Sequence, residues 1–301
     1  MKPQIIIICG PTASGKSSLA IKLAKLLDTE IISADSLAIY KRLDIGTAKP
    51  TKEEQAEIKH HLVDVVEPTS KFSVSDYEKL SLPIIDDMLA KGKTPIICGG
   101  TGFYINSILY KLSYGQTEEN LEVRHKYMKM AETLGVDAVY EELKKVDEKA
   151  TLKIHKNDLV RVVRALEIYY STGRKKSDQN DKLIPRYSYF AFMPNFERQE
   201  LYSRIDKRVD IMIENGLVDE VKGLIDSGID KSYQCMQGIG YKETFDALKS
   251  GDLTGLSDLI KINSRHYAKR QITFFKRLEN LNYLNPNAEE GLKEILKLIN
   301  G

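Results

Sequence analysis

The stretch that most restricts this chain runs from Ile5-Ile6-Ile7-Ile8-Cys9 through Gly10-Pro11-Thr12-Ala13-Ser14-Gly15-Lys16-Ser17 into residues 18–27, whose apolar positions recur at helical spacing. Consecutive isoleucines read as a strand buried on both faces, because β-branched side chains are stiff at χ1 and suit a covered parallel sheet. Strand, glycine-rich turn and helix is the context in which G-x-x-x-x-G-K-S acts as a phosphate-binding loop. The glycines let several backbone N–H groups turn toward one anion, and the following helix presents its positive end. Lys16 would add a charge to the terminal phosphate, and Ser17 a hydroxyl for Mg²⁺. The competing reading is an ordinary strand-to-helix turn. The flanking pattern favours a site for a diphosphate or triphosphate.

At 301 residues the chain is one large domain or two ordinary ones, and 42% hydrophobic with 29% charged residues is a globular composition. No apolar run reaches the ~20 residues of a membrane span. The N-terminal residues lack the pattern of a secretory signal, so a cytoplasmic location is expected. Cys9, Cys98 and Cys235 are widely separated without C-x-x-C spacing; Cys9 and Cys98 end apolar runs as buried thiols, and no zinc site is expected. The net charge of +2 says little, so a nucleic-acid partner would need locally segregated basic residues.

The chain then alternates in the manner of an α/β fold. Residues 30–36 form a second strand candidate ending near Asp35, where a carboxylate would face the phosphate site; a turn or N-cap aspartate is the plainer alternative. A loop-like, polar segment follows over residues 37–50. Residues 61–66 read as a third strand, 76–91 as an amphipathic helix closed by Gly92, and 94–98 as another buried strand. That strand enters Gly99-Gly100-Thr101-Gly102-Phe103-Tyr104, a second glycine-rich turn, which alone would be read as structural. From Glu118 to Gly173 the pattern is helical throughout, and Arg174 to Pro185 reads as a polar connector. Strand character returns at residues 187–193, followed by helices, among them residues 198–215 with Arg204, Lys207 and Arg208. Residues 261–277 carry six Lys/Arg and no acid, with Tyr267, Phe274 and Phe275 interleaved. Such a run is usually a solvated face; the missing acids and the aromatics favour a polyanion. A strand at 281–284 and a helix at 288–299 close the chain. The expected architecture is a P-loop NTPase-like parallel sheet core (1–115), an inserted all-helical subdomain (116–180), and a remainder of the core with a helical C-terminal part (181–301).

In this order the motifs resemble the bacterial tRNA dimethylallyltransferase (tRNA isopentenyltransferase) family. They are Gly10 to Ser17; Ala34-Asp35-Ser36 with Tyr40; residues 44–50; Gly99 to Tyr104; residues 154–158 with 161–167; residues 204–210; residues 238–243; and Lys269-Arg270-Gln271-Ile272-Thr273. The resemblance covers about residues 5–277. It implies transfer of a dimethylallyl group from dimethylallyl diphosphate to the N6 amine of the adenosine 3′ of the tRNA anticodon, releasing pyrophosphate, with Mg²⁺.

By the same resemblance Asp35 is the base at the amine, Thr101 holds the adenine edge or assists, and Arg208 joins Lys16 and Ser17 at the diphosphate. The inserted helical block grips the anticodon stem-loop. The tRNA contacts it implies are Asp35, Ser36, Leu37, Ala38, Thr101, Arg124, Leu159, Val160, Arg161, Val162, Val163, Arg164, Lys269, Arg270 and Gln271. Leu37-Ala38 stands where the family commonly has Met-Gln, Lys156 where it has proline, and Phe274 where it has tryptophan. A monomer is expected. Three rival functions stay open on the residues alone: a small-molecule or nucleotide kinase, a prenyltransferase acting on free adenylate, and an RNA-binding NTPase.

Overall fold

The computed structural model describes residues 4–112, 120–178 and 184–300. The start expected for the helical block at Glu118 and the middle of the connector expected after Arg174 lie outside these. The chain divides into two compact units, Met1–Leu109 with Pro185–Gly301, and Tyr110–Ile184.

The larger unit is built on six parallel strands: β1 (Ile5–Cys9), β2 (Ile31–Ser33), β3 (His60–His61), β4 (Ile96–Gly99), β5 (Tyr189–Pro194) and β6 (Leu281–Leu284), in the order β3-β2-β4-β1-β5-β6. The isoleucine run is the centre of this sheet, and all its residues are closed to solvent. Because side chains alternate across a strand, Ile6 and Ile8 turn toward α1 (Lys16–Leu27) and α13 (Ala288–Asn300), packing with Leu19, Leu23, Phe192 and Ile295. Ile5, Ile7 and Cys9 turn to the opposite face and are equally buried. Next to β2 stands α3 (Val74–Ala90), opened by a Ser73–Asp76 capping box. Its Tyr77 donates from the phenol to the Ser33 carbonyl at 2.9 Å and stacks at 3.9 Å on Tyr104 of α4 (Gly102–Leu109).

The third strand is shorter than the pattern of residues 61–66 suggests. Only His60 and His61 pair, with Ile31 and Ile32. Leu62 and Asp64 take left-handed φ of 60° and 56°, which breaks the alternation a strand needs. The chain rejoins as a single bridge, Tyr40 to Val66. Lys49 holds this crossing, its largely buried ammonium gathering the Tyr40 carbonyl at 2.5 Å, Asp44 at 3.0 Å and Asp64 at 2.5 Å. Also in this unit are α2 (Lys52–Glu57), α9 (Arg198–Glu214), α10 (Leu217–Asp226), α11 (Tyr241–Ser250) and α12 (Leu256–Phe275).

The smaller unit is helical but not continuously so. It contains α5 (Leu121–Leu134), α6 (Val136–Val146), α7 (Glu148–Thr151) and α8 (Leu159–Thr172) around Tyr127, Val139, Leu143, Val162 and Leu166. Gly135 and Asp147 interrupt the pattern, and Asp147, buried, holds the Ala150 and Ser177 N–H groups with its carboxylate. No helix among the described residues is long and apolar enough to cross a membrane.

Two measurements check this packing. A Cβ on Gly99 would lie 2.1 Å from the Ala34 carbonyl oxygen, whereas one on Gly223 of α10 would meet nothing within 4 Å. Gly99→Ala should therefore lose about 3 kcal/mol or fail to fold, while Gly223→Ala should gain up to about 1 kcal/mol from helix propensity, read by thermal denaturation. At the sheet edge, burial pushes the Glu30 carboxyl upward, but hydrogen bonds with His61 and Lys93 and the Lys59 charge outweigh it and hold the group at about 2, against an ordinary 4.5. A depressed carboxyl stabilises the fold above its unfolded pKa and loses that contribution as pH falls through the folded one. Glu30→Gln should lower the melting temperature near neutral pH, and its gap to the parent should close between about pH 5 and pH 2.

Candidate functional site

The phosphate-type loop leaves β1 at its carboxyl end. Gly10 has φ 140° and Gly15 φ 75°, conformations that L side chains resist, and Ala13 holds a left-handed φ of 62° despite its Cβ. A non-glycine residue there costs about 1–2 kcal/mol and persists where the surroundings impose it. Lys16 opens α1 and curls back, its ammonium 3.2 Å from the Pro11 carbonyl. Ser14 Oγ is buried without a hydrogen-bond partner, an unmet polar group inside the loop.

The acceptor side rises from the carboxyl ends of β2 and β4. Asp35 Oδ1 accepts from the N–H of Leu37 at 2.9 Å and of Ala38 at 3.2 Å. The turn-aspartate reading is thus true of one oxygen and does not displace the other reading, because Asp35 also lines a cavity together with Lys16 and Arg208. Thr101 donates its N–H to the Ala34 carbonyl, and its hydroxyl accepts from the Ser36 N–H at 3.0 Å and donates to Ser36 Oγ at 3.2 Å. Thr101 therefore stands behind Ser36, which lines the cavity. The glycines beside it are there for space. A Cβ on Gly100 would lie 2.2 Å from Gln271 Nε2, and one on Gly102 2.2 Å from the Phe274 ring.

Lys16, Ser17, Asp35, Arg208, Tyr267 and Arg270 meet around one cavity of about 400 Å³. An adjoining cavity of about 450 Å³ shares Lys16, Ser17 and Arg208 and adds Arg204 and Lys207. Burial pushes the Lys16 ammonium below its usual range, with Arg208 adding to the effect and Asp35 opposing it. The Cys98 thiol, pushed up to about 11 by burial, stays neutral and gives Lys16 no charge to pair with. Burial likewise lowers the Arg208 guanidinium, which donates to the Thr47 carbonyl at 3.0 Å with Asp35 as the carboxylate facing it. Two desolvated cations against one carboxylate make a site for a further anion.

Sequence reasoning missed the clamp on the segment after Ala38. The carboxylate of Glu220 accepts from Asp44 N and Ile45 N at 2.8 Å each, from Gly46 N at 3.2 Å, and from the Tyr241 phenol at 2.6 Å. The cluster Asp44-Ile45-Gly46-Thr47 was visible as a motif, but nothing in it names a partner about 175 residues away. Ala38 is buried, with its N–H on Asp35 Oδ1 and its carbonyl accepting from the Asp64 N–H, and Leu37 packs where a Cβ on Gly238 would lie 2.3 Å away.

The basic helix α12 needs two corrections. Its amino-terminal cations are not a free basic face: Lys261 pairs with Asp210 at 2.6 Å, and Arg265 with Asp206, both acids belonging to α9. Gln271, expected among the tRNA contacts, is buried, with its amide bonded to Thr12 N at 3.0 Å and the Gly100 carbonyl at 2.9 Å. Lys269 and Arg270 are exposed, with Arg270 over the Tyr267 ring at 5.5 Å.

In the helical unit Val162 and Val163 are core side chains rather than RNA contacts, and Leu159 packs partly against the same core. Val160 is 76% exposed, and Arg161 pairs with Asp158. Arg124 and Arg164 converge on Glu167, fully buried, at 3.0 and 2.8 Å. Burial alone would raise the Glu167 carboxyl; Arg164, the Asn120 N–H and Arg124 hold it below its usual range.

The sequence matches the family described as IPP transferase over residues 38–278. It is 44% identical to the tRNA dimethylallyltransferase of Acetivibrio thermocellus over 98% of this chain and 95% of that protein, and 47% identical to that of a Thermoanaerobacter species over 100% and 99%. Among solved structures it is similar to the full-length tRNA isopentenylpyrophosphate transferase of Bacillus halodurans, with 39% identity, TM-score 0.73, and 98% and 94% of the two chains covered. It is also similar to a eukaryotic dimethylallyltransferase captured acting on tRNA, with 29% identity, TM-score 0.83, and 97% and 77% covered. With relatives matched end to end and a sheet that delivers the motifs to one cavity, the chain belongs to the IPP transferase family.

Proposed function

We propose that this protein transfers the dimethylallyl group of dimethylallyl diphosphate to the N6 amine of the adenosine 3′ of the anticodon in tRNA. The observation that carries this reading is the meeting of Lys16 and Arg208, both desolvated, with Asp35 at one cavity. A small-molecule kinase or a free-adenylate enzyme would leave the helical unit and the exposed Lys269 and Arg270 without a task.

The diphosphate lies against the loop from Gly10 to Ser17, with Lys16 and Arg208 on its oxygens. The allylic carbon–oxygen bond breaks, the electron pair leaves on the diphosphate, and these N–H groups and cations neutralise it. The adenine nitrogen forms the new bond to the allylic carbon and gives its proton to Asp35. The two Asx-turn hydrogen bonds to Oδ1 hold that carboxylate in place and leave Oδ2 for the amine. Ser36, backed by the Thr101 hydroxyl, forms the wall beside it. The base has to leave its stack to reach Asp35, which costs a few kcal/mol.

The donor set fits Mg²⁺ of the kind held mainly by substrate phosphates: one hydroxyl, Ser17, beside one carboxylate, with no cluster of three or more His, Cys, Asp or Glu among the described residues. Mg²⁺ would supply additional positive charge to the leaving diphosphate. The protein acts in the cytoplasm, where its tRNA is, as a monomer.

Incubation with labelled dimethylallyl diphosphate, Mg²⁺ and unmodified tRNA should place label on the RNA; label that stays off the RNA while ATP is hydrolysed would sink the reading. Asp35→Ala should reduce single-turnover transfer by about 10²-fold or more while tRNA affinity stays nearly unchanged. Replacing Lys269 and Arg270 together by alanine should weaken tRNA binding and flatten its salt dependence by about one counterion for each phosphate no longer neutralised. An unchanged slope in filter binding would make both residues merely solvated.

A further inference from the structure

Gln271 is the point where three separate parts of the larger unit meet. It lies on α12, is 5% exposed, and uses both ends of its amide. The carbonyl oxygen accepts from the Thr12 N–H of the phosphate loop, and the nitrogen donates to the Gly100 carbonyl in the turn that carries Thr101. The room for this contact comes from Gly100, since a Cβ there would lie 2.2 Å from Gln271 Nε2. Loop and turn leave neighbouring strands, and backbone pairing holds β1 to β4 only as far as Cys9 and Gly99. Beyond those residues Gln271 is a side-chain tie across the gap.

The tie matters because the phosphate loop holds the donor and the Thr101 turn flanks the acceptor. We propose that Gln271 is a positioning residue: by fixing Thr12 and Gly100 to one rigid amide it sets the distance between the diphosphate and the attacking amine. Its task is not RNA contact, because both polar ends are engaged inside the protein. A glutamine suits the place chemically. It presents one acceptor and one donor on a planar group, while glutamate offers two acceptors and methionine of similar volume offers neither bond. Small errors in the spacing of reacting groups lower the rate steeply without changing how tightly either partner binds.

The proposal rests on the transfer reading, so the parent protein is assayed in parallel, and its transfer alone decides that reading. Gln271→Glu keeps the bond to Thr12 N and sets an oxygen against the Gly100 carbonyl; Gln271→Met removes both bonds. Each should retain a parent-like circular dichroism spectrum. Single-turnover transfer should fall about tenfold or more, while Kd for a thio analogue of dimethylallyl diphosphate and for tRNA stays within about threefold. Gly100→Ala should show a similar loss, and combined with Gln271→Met should lose little more than either change alone. Without any substrate, amide exchange should rise together in residues 10–17 and 99–102 of Gln271→Met. Transfer within twofold of the parent in both variants, exchange that does not change, or tRNA affinity that falls in step with transfer would each overturn the proposal.

Discussion

Burial of β1 on both faces is the constraint on which the rest depends. A strand with no exposed residue has to be flanked on each side and covered above and below; β4 and β5 flank it, and α1 with α13 covers the face of Ile6 and Ile8. The chain can turn only where that run ends, at Gly10, where φ is 140°. The neighbouring strands end at the same level, which brings Asp35 and the Gly99–Gly102 turn up beside the phosphate loop. In open parallel sheets, ligand sites form at this end. Chemistry is located here by the geometry of the sheet before any particular side chain is considered.

Charge placement then separates structural cations from those left for ligands. Lys49, Lys261 and Arg265 each have carboxylates within the protein and hold loops or helices in place. Lys16 and Arg208 are desolvated around a cavity that Asp35 also lines. A half-buried cation without a full complement of anions is unfavourable, and a bound anion would relieve both at once. Clamps at a distance from the cavity support this arrangement: Glu220 orders the turn before Thr47, whose carbonyl in turn receives Arg208.

The helix α12 shows why a stripe of like charge is a weak guide. Residues 261–277 carry six cations and no acid, four of the cations on α12, yet α9 supplies Asp206 and Asp210 from the side. What distinguishes Lys269 and Arg270 is exposure; Gln271, next in sequence, is turned inward. One helix thus presents cations outward and joins two loops inward, because successive residues lie about 100° apart around its axis.

Local pattern alone determined the strand–loop–helix unit at residues 5–27, the parallel α/β class, the second glycine turn, the helical insert and the closing strand and helix. These depend on side-chain periodicity and glycine conformation, which neighbours in sequence largely decide. The same pattern misjudged residues 61–66, where Leu62 and Asp64 leave strand geometry and Asp64 bonds to Lys49, and it could not distinguish Val162 and Val163 from the exposed Val160 beside them. Glu220, Gln271 and Glu167 act on partners far from them in sequence, about 175, 259 and 47 residues away. A glutamate or glutamine in a helix looks alike whether it faces water or ties two loops together. Only the tertiary structure decides which, because the partner that gives such a residue its role is brought to it by the fold.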